Sequence, residues 1–184
     1  MERENLYFIA LIPDEQICNE IDVFKSEVAD RFEARQALKV MPHITLKTPF
    51  KMPASSHLNL LQWFRQLPVN VGSFKIELKN FEAFHNRNHP VIYVKPIMNI
   101  PLFSLQKDII RQFRISYPSS RVTDIELKFK PHITIAYRDL KPERFAQAWK
   151  TYQTRKYAAF FEVNNFYLLQ HDSKRWNIIQ AHQV

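Results

Sequence analysis

The feature that most constrains the fold of this chain is a short sequence motif, referred to below as the phrase, that occurs once in each half. Residues 42–46 read Pro-His-Ile-Thr-Leu, and residues 131–135 read Pro-His-Ile-Thr-Ile. Their β-branched residues are typical of strands. Because side chains alternate between the two faces of a strand, the histidine and threonine of each phrase should share one face, with the aliphatic residues on the other. Each phrase therefore offers an imidazole and a hydroxyl side by side above an apolar layer.

The hydrophobic pattern around the two phrases predicts strands and helices in a similar order in both halves. In the first half we expect a strand at 6–12, a helix from 14 to about 32, and the first histidine strand at 40–48. A loop marked by prolines at 49 and 53 should follow, and then a helix that begins after Ser55 or Ser56 and has Leu58, Leu61 and Phe64 on its apolar face. The last elements of this half should be strands at 74–84 and 91–94. In the second half we expect a helix around 102–113, the second histidine strand within 127–137, a helix from Pro142, and a closing hairpin of 157–170 with 176–181.

This outline predicts an α+β fold in which residues 1–184 form a single bilobal domain. The two lobes should be related by a pseudo-twofold axis, each with an antiparallel sheet and flanking helices. The histidine strands should then meet in a central cleft.

Composition narrows the possible classes of protein. Hydrophobic residues make up 46% of the 184, which indicates a globular chain. The single cysteine excludes an internal disulfide, and the single glycine excludes glycine-rich phosphate loops. With no apolar segment long enough for a signal region or a membrane span, we expect a cytoplasmic monomer without membrane contact. The net charge of +8 fits either a merely basic protein or one with a polyanionic partner.

Two histidines facing each other across a cleft suit acid–base chemistry at a phosphate. A neutral imidazole can accept a proton from a nucleophile, and an imidazolium can donate one to a leaving oxygen. The hydroxyls of Thr45 and Thr134 can donate to phosphate oxygens. A metal site with two histidines is the alternative, but it would need a carboxylate, and the nearest along the chain is Asp139. We therefore expect neither a metal nor a cofactor.

Two basic residues follow the phrases closely enough to contact a phosphate. Lys47 should share the face of His43, and Arg138 should share the face of His132 if that strand stays regular. Both are expected to bind phosphate, although a solvated position is equally compatible with the sequence. A base could stack on aromatic residues near the phrases, and the candidates are Phe8, Phe50, Phe84 and Tyr93.

Taken together, the paired His-x-Thr-aliphatic motifs resemble the signature of the two-histidine (2H) phosphoesterases. Within that group the chain is most similar to the bacterial 2′-5′ RNA ligase and cyclic phosphodiesterase branch. Residues 8–11, Phe-Ile-Ala-Leu, resemble the opening strand of the family, and residues 81–94 resemble its middle section. The resemblance thus spans essentially the whole chain.

The resemblance implies metal-independent chemistry on RNA ends or nucleotides. The activity would be hydrolysis of a 2′,3′-cyclic phosphate to a 2′-phosphate, or the making and breaking of 2′-5′ linkages, with His43 and His132 as catalytic residues. It further suggests His132 as the base towards water and His43 as the acid. One departure is Tyr137, which stands where many members carry arginine, with Arg138 following. An RNA- or nucleotide-binding module with little catalysis is the alternative function.

Overall fold

The computed structural model describes residues 2–184. The strands are β1 Glu4–Leu11, β2 Ile44–Pro53, β3 Phe74–Phe84, β4 Val91–Pro96, β5 Ile133–Ala136, β6 Ala158–Val163, β7 Asn165–His171 and β8 Trp176–Gln183. The α-helices are α1 Glu15–Phe32, α2 His57–Arg65, α3 Ile100–Ser116, α4 Asp124–Leu127 and α5 Pro142–Tyr152. Short 3₁₀ turns occupy Gln36–Lys39 and Ala54–Ser56.

The strands form two four-stranded antiparallel sheets, which confirms the predicted α+β fold with two sheets. The first sheet has the order β2-β1-β7-β8 and the second has the order β5-β4-β3-β6. The outline suggested one lobe for each half of the chain, and this division is wrong. Strands β3 and β4 of the first half lie in the second sheet, where they pair with β6 and β5. β7 pairs with β1 rather than with β6, so the first sheet is built from both ends of the chain.

The segment 157–170, expected as one strand, is two strands in different sheets. β6 pairs with β3 in the second sheet, and β7 begins two residues after β6 ends, in the first sheet. A hydrophobic pattern cannot reveal this transfer, because both strands bury alternate residues in the same core. The predicted hairpin around residues 171–174 is confirmed by the pairing of β7 with β8, and its turn lies one residue later, at 172–175.

Helix α1 forms as its sequence predicts. The Asp14 side chain caps it by accepting a hydrogen bond from the Ile17 amide at 3.0 Å. Apolar residues at helical spacing, including Ile21 and Val28, are buried in the core. The apolar face predicted for α2 is partly wrong: Leu58 is 74% exposed, and Leu60 is buried instead.

A single hydrophobic cluster joins both sheets to the helices. It contains Ile9 and Leu46 of the first sheet, Ile76 and Val94 of the second, and Phe113 of α3. The two sheets therefore share a core, and the position of one histidine strand relative to the other is set by packing on both.

Candidate active site

Each phrase ends in an edge strand. β2 is the outer strand of the first sheet and β5 is the outer strand of the second. His43 and His132 each lie immediately before their strand. Both imidazoles line one cavity of about 260 Å³, together with Thr45 and Thr134. The structure thus brings together the four residues that the sequence predicted would meet.

The two imidazoles are held in the same way. Nδ1 of His43 lies 2.8 Å from the carbonyl oxygen of Met41, and Nδ1 of His132 lies 2.8 Å from that of Lys130. A carbonyl can only accept, so in both rings Nδ1 carries the proton and donates it. Nε2 is left unprotonated in the neutral ring, where it is available to a ligand in the cavity.

Both imidazoles are held in the neutral form. Burial is the main cause that lowers the pKa of His43 to about 4. The nearby charges of Lys25 and protonated His132 act in the same direction, and the hydrogen bond to the Met41 carbonyl opposes them. Burial also lowers the pKa of His132, with a smaller contribution from the Lys130 charge. At neutral pH the free protein therefore presents two neutral imidazoles, and an anionic ligand would favour protonation of either one.

Aromatic rings pack against both imidazoles. The Phe8 ring lies 5.0 Å from His43 between centroids and contacts Trp176 edge-on at 4.5 Å. On the other side, the Phe84 ring meets His132 edge-on at 5.2 Å. These contacts restrict the orientation of each imidazole and keep part of its surface from water.

Sequence reasoning missed Lys25, which lines the cavity from α1. Its side chain is 2% exposed, and Nζ contacts the Asp22 carboxylate at 2.9 Å and donates to the Val40 carbonyl oxygen at 2.8 Å. Burial lowers the pKa of this ammonium. A signal was present in the sequence, because Lys25 stands four residues after Ile21 and so on the buried face of the helix.

Arg138 and Tyr137 both line the cavity, but not for the reason the strand pattern gave. β5 ends at Ala136, and Arg138 adopts a left-handed backbone conformation with φ of 56°. This turn, rather than continued strand alternation, brings Arg138 to the cavity. Its guanidinium lies 5.2 Å from the centroid of the Tyr137 ring.

The prediction that Lys47 binds phosphate is wrong. Its side chain is 1% exposed, and Nζ forms an ion pair of 2.7 Å with Glu126. The ammonium also lies 4.6 Å from the centroid of the Phe113 ring in the core. Lys47 does not line the cavity, because β2 is irregular beside β1 and the side chain turns away from the face of His43.

Two carboxylates connect the segments that flank the phrases. Glu126, before the second phrase, accepts from the Thr48 amide at 2.9 Å, just after the first phrase. Asp139, after the second phrase, accepts from the amides of Arg35 and Gln36 at 2.7 and 3.0 Å, before the first phrase. Hydrogen bonds therefore join the segment after the first phrase to the segment before the second, and the segment before the first phrase to the segment after the second. Together these bonds fix the separation of the two histidines.

Two properties of the described residues bear on metals and membranes. Within residues 2–184 no group of three or more His, Cys, Asp or Glu side chains is arranged to hold a metal ion. Asp139, the carboxylate of the metal alternative, is bound to backbone amides and does not line the cavity. None of the helices in this range combines the length and apolar character needed to cross a membrane.

A bilobal fold in which paired His-x-Thr sites face one cavity defines a two-histidine phosphoesterase. A sequence profile of the 2′-5′ RNA ligase superfamily matches residues 13–175, and the chain belongs to that family. Similar proteins include one from Bacillus pumilus, 24% identical over 176 residues that cover 95% of both chains. Another, from Geobacillus kaustophilus, is 26% identical over 178 residues, which cover 95% of this chain and 94% of the relative. Both are provisionally named phosphoesterases.

Solved structures share the fold at low sequence identity. Escherichia coli LigT complexed with 3′-AMP superposes with a TM-score of 0.71 at 15% identity, covering 99% of both chains. A Thermus thermophilus protein superposes with a TM-score of 0.66 at 16% identity, covering 97% of both chains. LigT has also been solved with NADP⁺, with a TM-score of 0.64 at 16% identity over 99% of both chains.

Proposed function

We propose that the protein hydrolyses 2′,3′-cyclic phosphates at RNA ends or on nucleotides to 2′-phosphates, or makes and breaks 2′-5′ linkages, by two-histidine acid–base catalysis without a metal. The observation that carries the proposal is the pair of imidazoles in one cavity, each with Nδ1 held by a carbonyl and Nε2 available. Two nitrogens so presented can serve the attacking and the leaving oxygen of one phosphate. Thr45, Thr134 and Arg138 are the donors to the phosphate oxygens in this proposal.

In hydrolysis, a water oxygen attacks phosphorus while one imidazole accepts its proton. The bond from phosphorus to O3′ breaks, and the second imidazole, protonated, gives its proton to O3′. The products are a 2′-phosphate and a free 3′-hydroxyl, and each proton transfer contributes roughly 10²–10⁴ in rate. The anionic phosphate raises the pKa of the neighbouring imidazoles, which is how the acid acquires its proton on substrate binding.

The electrostatics of the free protein bear on the two roles. The pKa of about 4 for His43, beside the Lys25 ammonium, favours its neutral form and supports His43 as the base, with His132 as the acid. This is the reverse of the assignment that the family resemblance suggests. In a complex with a 2′-phosphate product, an NMR titration of both imidazoles should find His132 protonated to the higher pH, and the opposite order would restore the assignment from resemblance.

The deciding experiment is turnover of nucleoside 2′,3′-cyclic phosphates and of a 2′-5′-linked dinucleotide, with products identified by phosphorus NMR. A 2′-phosphate product is expected from the cyclic substrate, and a 3′-phosphate would contradict the proposed bond cleavage. His43→Ala and His132→Ala should each lose on the order of 10²-fold or more in kcat. The double variant should lose little more than the worse single one, since the two residues act as a unit.

A nucleotide-binding module on the same scaffold is the second candidate. It is favoured only by the neutral state of both imidazoles in the free protein, because neither carries the proton that the acid needs. Tight binding of 2′- or 3′-nucleotides without turnover of any of the substrates above would support this module over the enzyme.

A further inference from the structure

Two aromatic rings and one carbonyl oxygen hold the imidazole of His132. The Tyr93 ring lies 5.5 Å from it between centroids, and the Phe84 ring meets it edge-on at 5.2 Å. Nδ1 donates to the Lys130 carbonyl oxygen at 2.8 Å. The sheet keeps these parts together, because Tyr93 of β4 is paired with Thr134 of β5. The position of the imidazole therefore depends on both rings and on the backbone at Lys130.

The side chain of Lys130 returns to the same two rings. Its ammonium lies 5.1 Å from the centroid of Phe84 and 5.7 Å from that of Tyr93. A cation at this distance is attracted to the face of an aromatic ring. Lys130 thus acts on His132 twice, directly through its carbonyl oxygen and indirectly through an ammonium that is held against the rings beside the imidazole.

Glu82 joins these residues into one cluster. It is paired across the two strands with Tyr93, whose hydroxyl donates to Oε2 at 2.9 Å. The same oxygen lies 3.2 Å from the Lys130 ammonium, and Oε1 lies 2.6 Å from that of Lys95. The hydrogen bond from Lys95, followed by those from Tyr93 and Lys130, lowers the pKa of Glu82 to about 2, so the carboxylate is charged at neutral pH. We refer to Glu82, Tyr93, Lys95 and Lys130 as the Glu82 cluster.

The Glu82 cluster contacts His132 without lining the catalytic cavity, so its residues can reach the reacting atoms only through the imidazole. Other charged and titratable groups border His132 from across the cavity, from the turn after β5 and from the α4 side: His43, Lys25, Tyr137, Arg138, Asp124, Glu126 and Lys128. Lys130 differs from these groups because its ammonium contacts the two rings that pack against the imidazole.

The charges of the cluster act on His132 in opposite directions. Burial is the main cause that lowers the pKa of His132, and the Lys130 charge acts in the same direction against the hydrogen bond to the Lys130 carbonyl. Glu82 carries the opposite charge and contacts both lysines of the cluster. Its carboxylate therefore offsets the effect of the two cations on the imidazole.

We propose that Lys130 and Glu82 are positioning residues for His132, which hold its imidazole at the cavity and set how readily it takes up a proton. The proposal rests on the proposed function, in which His132 is the acid. Lys130 favours the neutral imidazole in the free protein. Glu82 limits that effect, so that one bound phosphate suffices to protonate the ring.

The test is an NMR titration of His132 in the free protein, which needs no substrate. Glu82→Gln still accepts a hydrogen bond from Tyr93 but no longer offsets two lysine charges, so the pKa of His132 should fall. Lys130→Met keeps an apolar side chain on the rings and removes one positive charge, so the pKa should rise. The double variant should titrate between the two single variants. Loosened packing alone would expose the imidazole to water and raise the pKa in both variants, so opposite signs separate control by charge from a structural role.

Two exposed residues of β3 provide matched controls. Glu77→Gln and Lys79→Met remove the same charges from the strand that carries Glu82, but both residues lie outside the Glu82 cluster and the cavity and should leave the titration of His132 unchanged. Lys130 and Glu82 are 54% and 34% exposed, so added salt should reduce both shifts. Thermal unfolding identifies the folded variants. If Glu82→Gln does not fold, Lys130→Met still tests the proposal, because its shift must be a rise that salt diminishes.

Turnover of a nucleoside 2′,3′-cyclic phosphate supplies the second measurement. The decrease of kcat/KM on the basic side should move to lower pH in Glu82→Gln and to higher pH in Lys130→Met, with about a tenfold change in kcat/KM for each unit of pKa. Titration shifts of the same sign in both variants, or unchanged titrations, would overturn the proposal. Opposite titration shifts in a protein that turns over no cyclic phosphate would overturn the proposed function instead, and Lys130 and Glu82 would remain the residues that set the charge of His132.

Discussion

Lys25 is a buried charged side chain at the candidate site. Its ammonium is buried at the cavity, where it lowers the pKa of His43. Asp22 contacts it from the exposed side, and the Val40 carbonyl holds it in place. A buried cation favours anionic ligands and disfavours a second positive charge on the nearby imidazole.

Removing this charge should change the titration of one histidine and not the other. Lys25→Met keeps a long apolar side chain, and we expect the pKa of His43 to rise from about 4 because a repelling charge is lost. NMR titration of the imidazole signals measures it directly. Lys39→Met is the control, since Lys39 is exposed and does not line the catalytic cavity. An unchanged His43 titration in Lys25→Met would show that burial alone sets the pKa.

The pH dependence of the reaction follows from the same two groups. In the free protein both histidine pKa values lie below the ordinary value of 6.5. The base must be neutral and the acid charged. On the acidic side, kcat/KM should decrease when the pH drops below about 4, because His43 gains a proton. On the basic side, kcat/KM should decrease when the pH exceeds the lowered pKa of His132, because the acid loses its proton. We therefore expect the maximum of kcat/KM on the acidic side of pH 6.5, and the maximum of kcat at higher pH because bound phosphate raises both pKa values. A maximum of kcat/KM above pH 7 would contradict this account.

At the scale of elements, β2 shows what the sequence could and could not predict. Alternation correctly placed His43 and Thr45 on the cavity side and Ile44 in the core. The alternation failed at Lys47 because the pairing of β2 with β1 is irregular. Ala10 of β1 is paired with Thr45, and the preceding Ile9 is paired with Lys47, so Leu46 has no partner in β1. Leu46 and Lys47 are consequently buried in succession. Such a bulge depends on the partner strand, so the sequence of β2 alone does not reveal it.

The same strand continues where prolines predicted a loop. β2 extends to Pro53, and its Pro49 and Pro53 are both exposed. β2 pairs only with β1, and an edge strand has an unpaired side on which a missing amide hydrogen costs nothing. The site around β2 was therefore predictable in its histidine and threonine, but not in residues whose position depends on sheet order.

The ion pair between Lys47 and Glu126 should be essential to the stability of this arrangement. Burial opposes the charge on Glu126, but hydrogen bonds from Lys47 and Thr123 outweigh it and hold the Glu126 pKa below its usual value. Glu126→Gln would leave Lys47 buried without a counter-charge, and we expect a loss of roughly 3–5 kcal/mol in the free energy of unfolding. Urea unfolding at neutral pH measures this loss.

Two comparisons sharpen that measurement. Glu77→Gln removes an exposed carboxylate from β3 and should change stability little. The pKa of Glu126 is lower in the folded state than in the unfolded state. The stability that the ionised carboxylate contributes is therefore fully present above the pKa of the unfolded state, and it is lost as the pH falls through the pKa of the folded state. The difference between Glu126→Gln and the unmodified protein should therefore shrink in acid, and a difference independent of pH would contradict the ion-pair account.

At the scale of the molecule, the two lobes are closed by the C-terminal strands. β7 and β8 complete the first sheet, and Trp176 of β8 lines the cavity beside Phe8. The site therefore combines residues from nearly the whole chain. This explains why the sequence identified the histidines, the threonines and Phe8 but missed Trp176, whose position depends on how the first sheet is completed.

The excess of positive charge should matter most for substrates longer than one nucleotide. The net charge is +8, and a recess of about 620 Å³ beside the catalytic cavity is lined by Lys39 and Arg175, with Trp176 shared between the two spaces. Arg175 is 76% exposed, and its nearest carboxylate contact, to Asp172, is 3.9 Å, so its guanidinium can exchange this weak contact for a phosphate. A chain continuing from the reacting nucleotide would place its phosphates near these two cations.

Salt dependence measures these contacts, because each neutralised phosphate of a single strand adds about −0.7 to the slope of log affinity against log salt. For an oligonucleotide ending in a 2′,3′-cyclic phosphate, kcat/KM should fall steeply as salt rises, and for the cyclic mononucleotide it should fall much less. Arg175→Ala should flatten the oligonucleotide slope by about one such contact and leave the mononucleotide slope unchanged. Equal slopes for the two substrates would instead indicate that the protein contacts only the reacting nucleotide and no further phosphates.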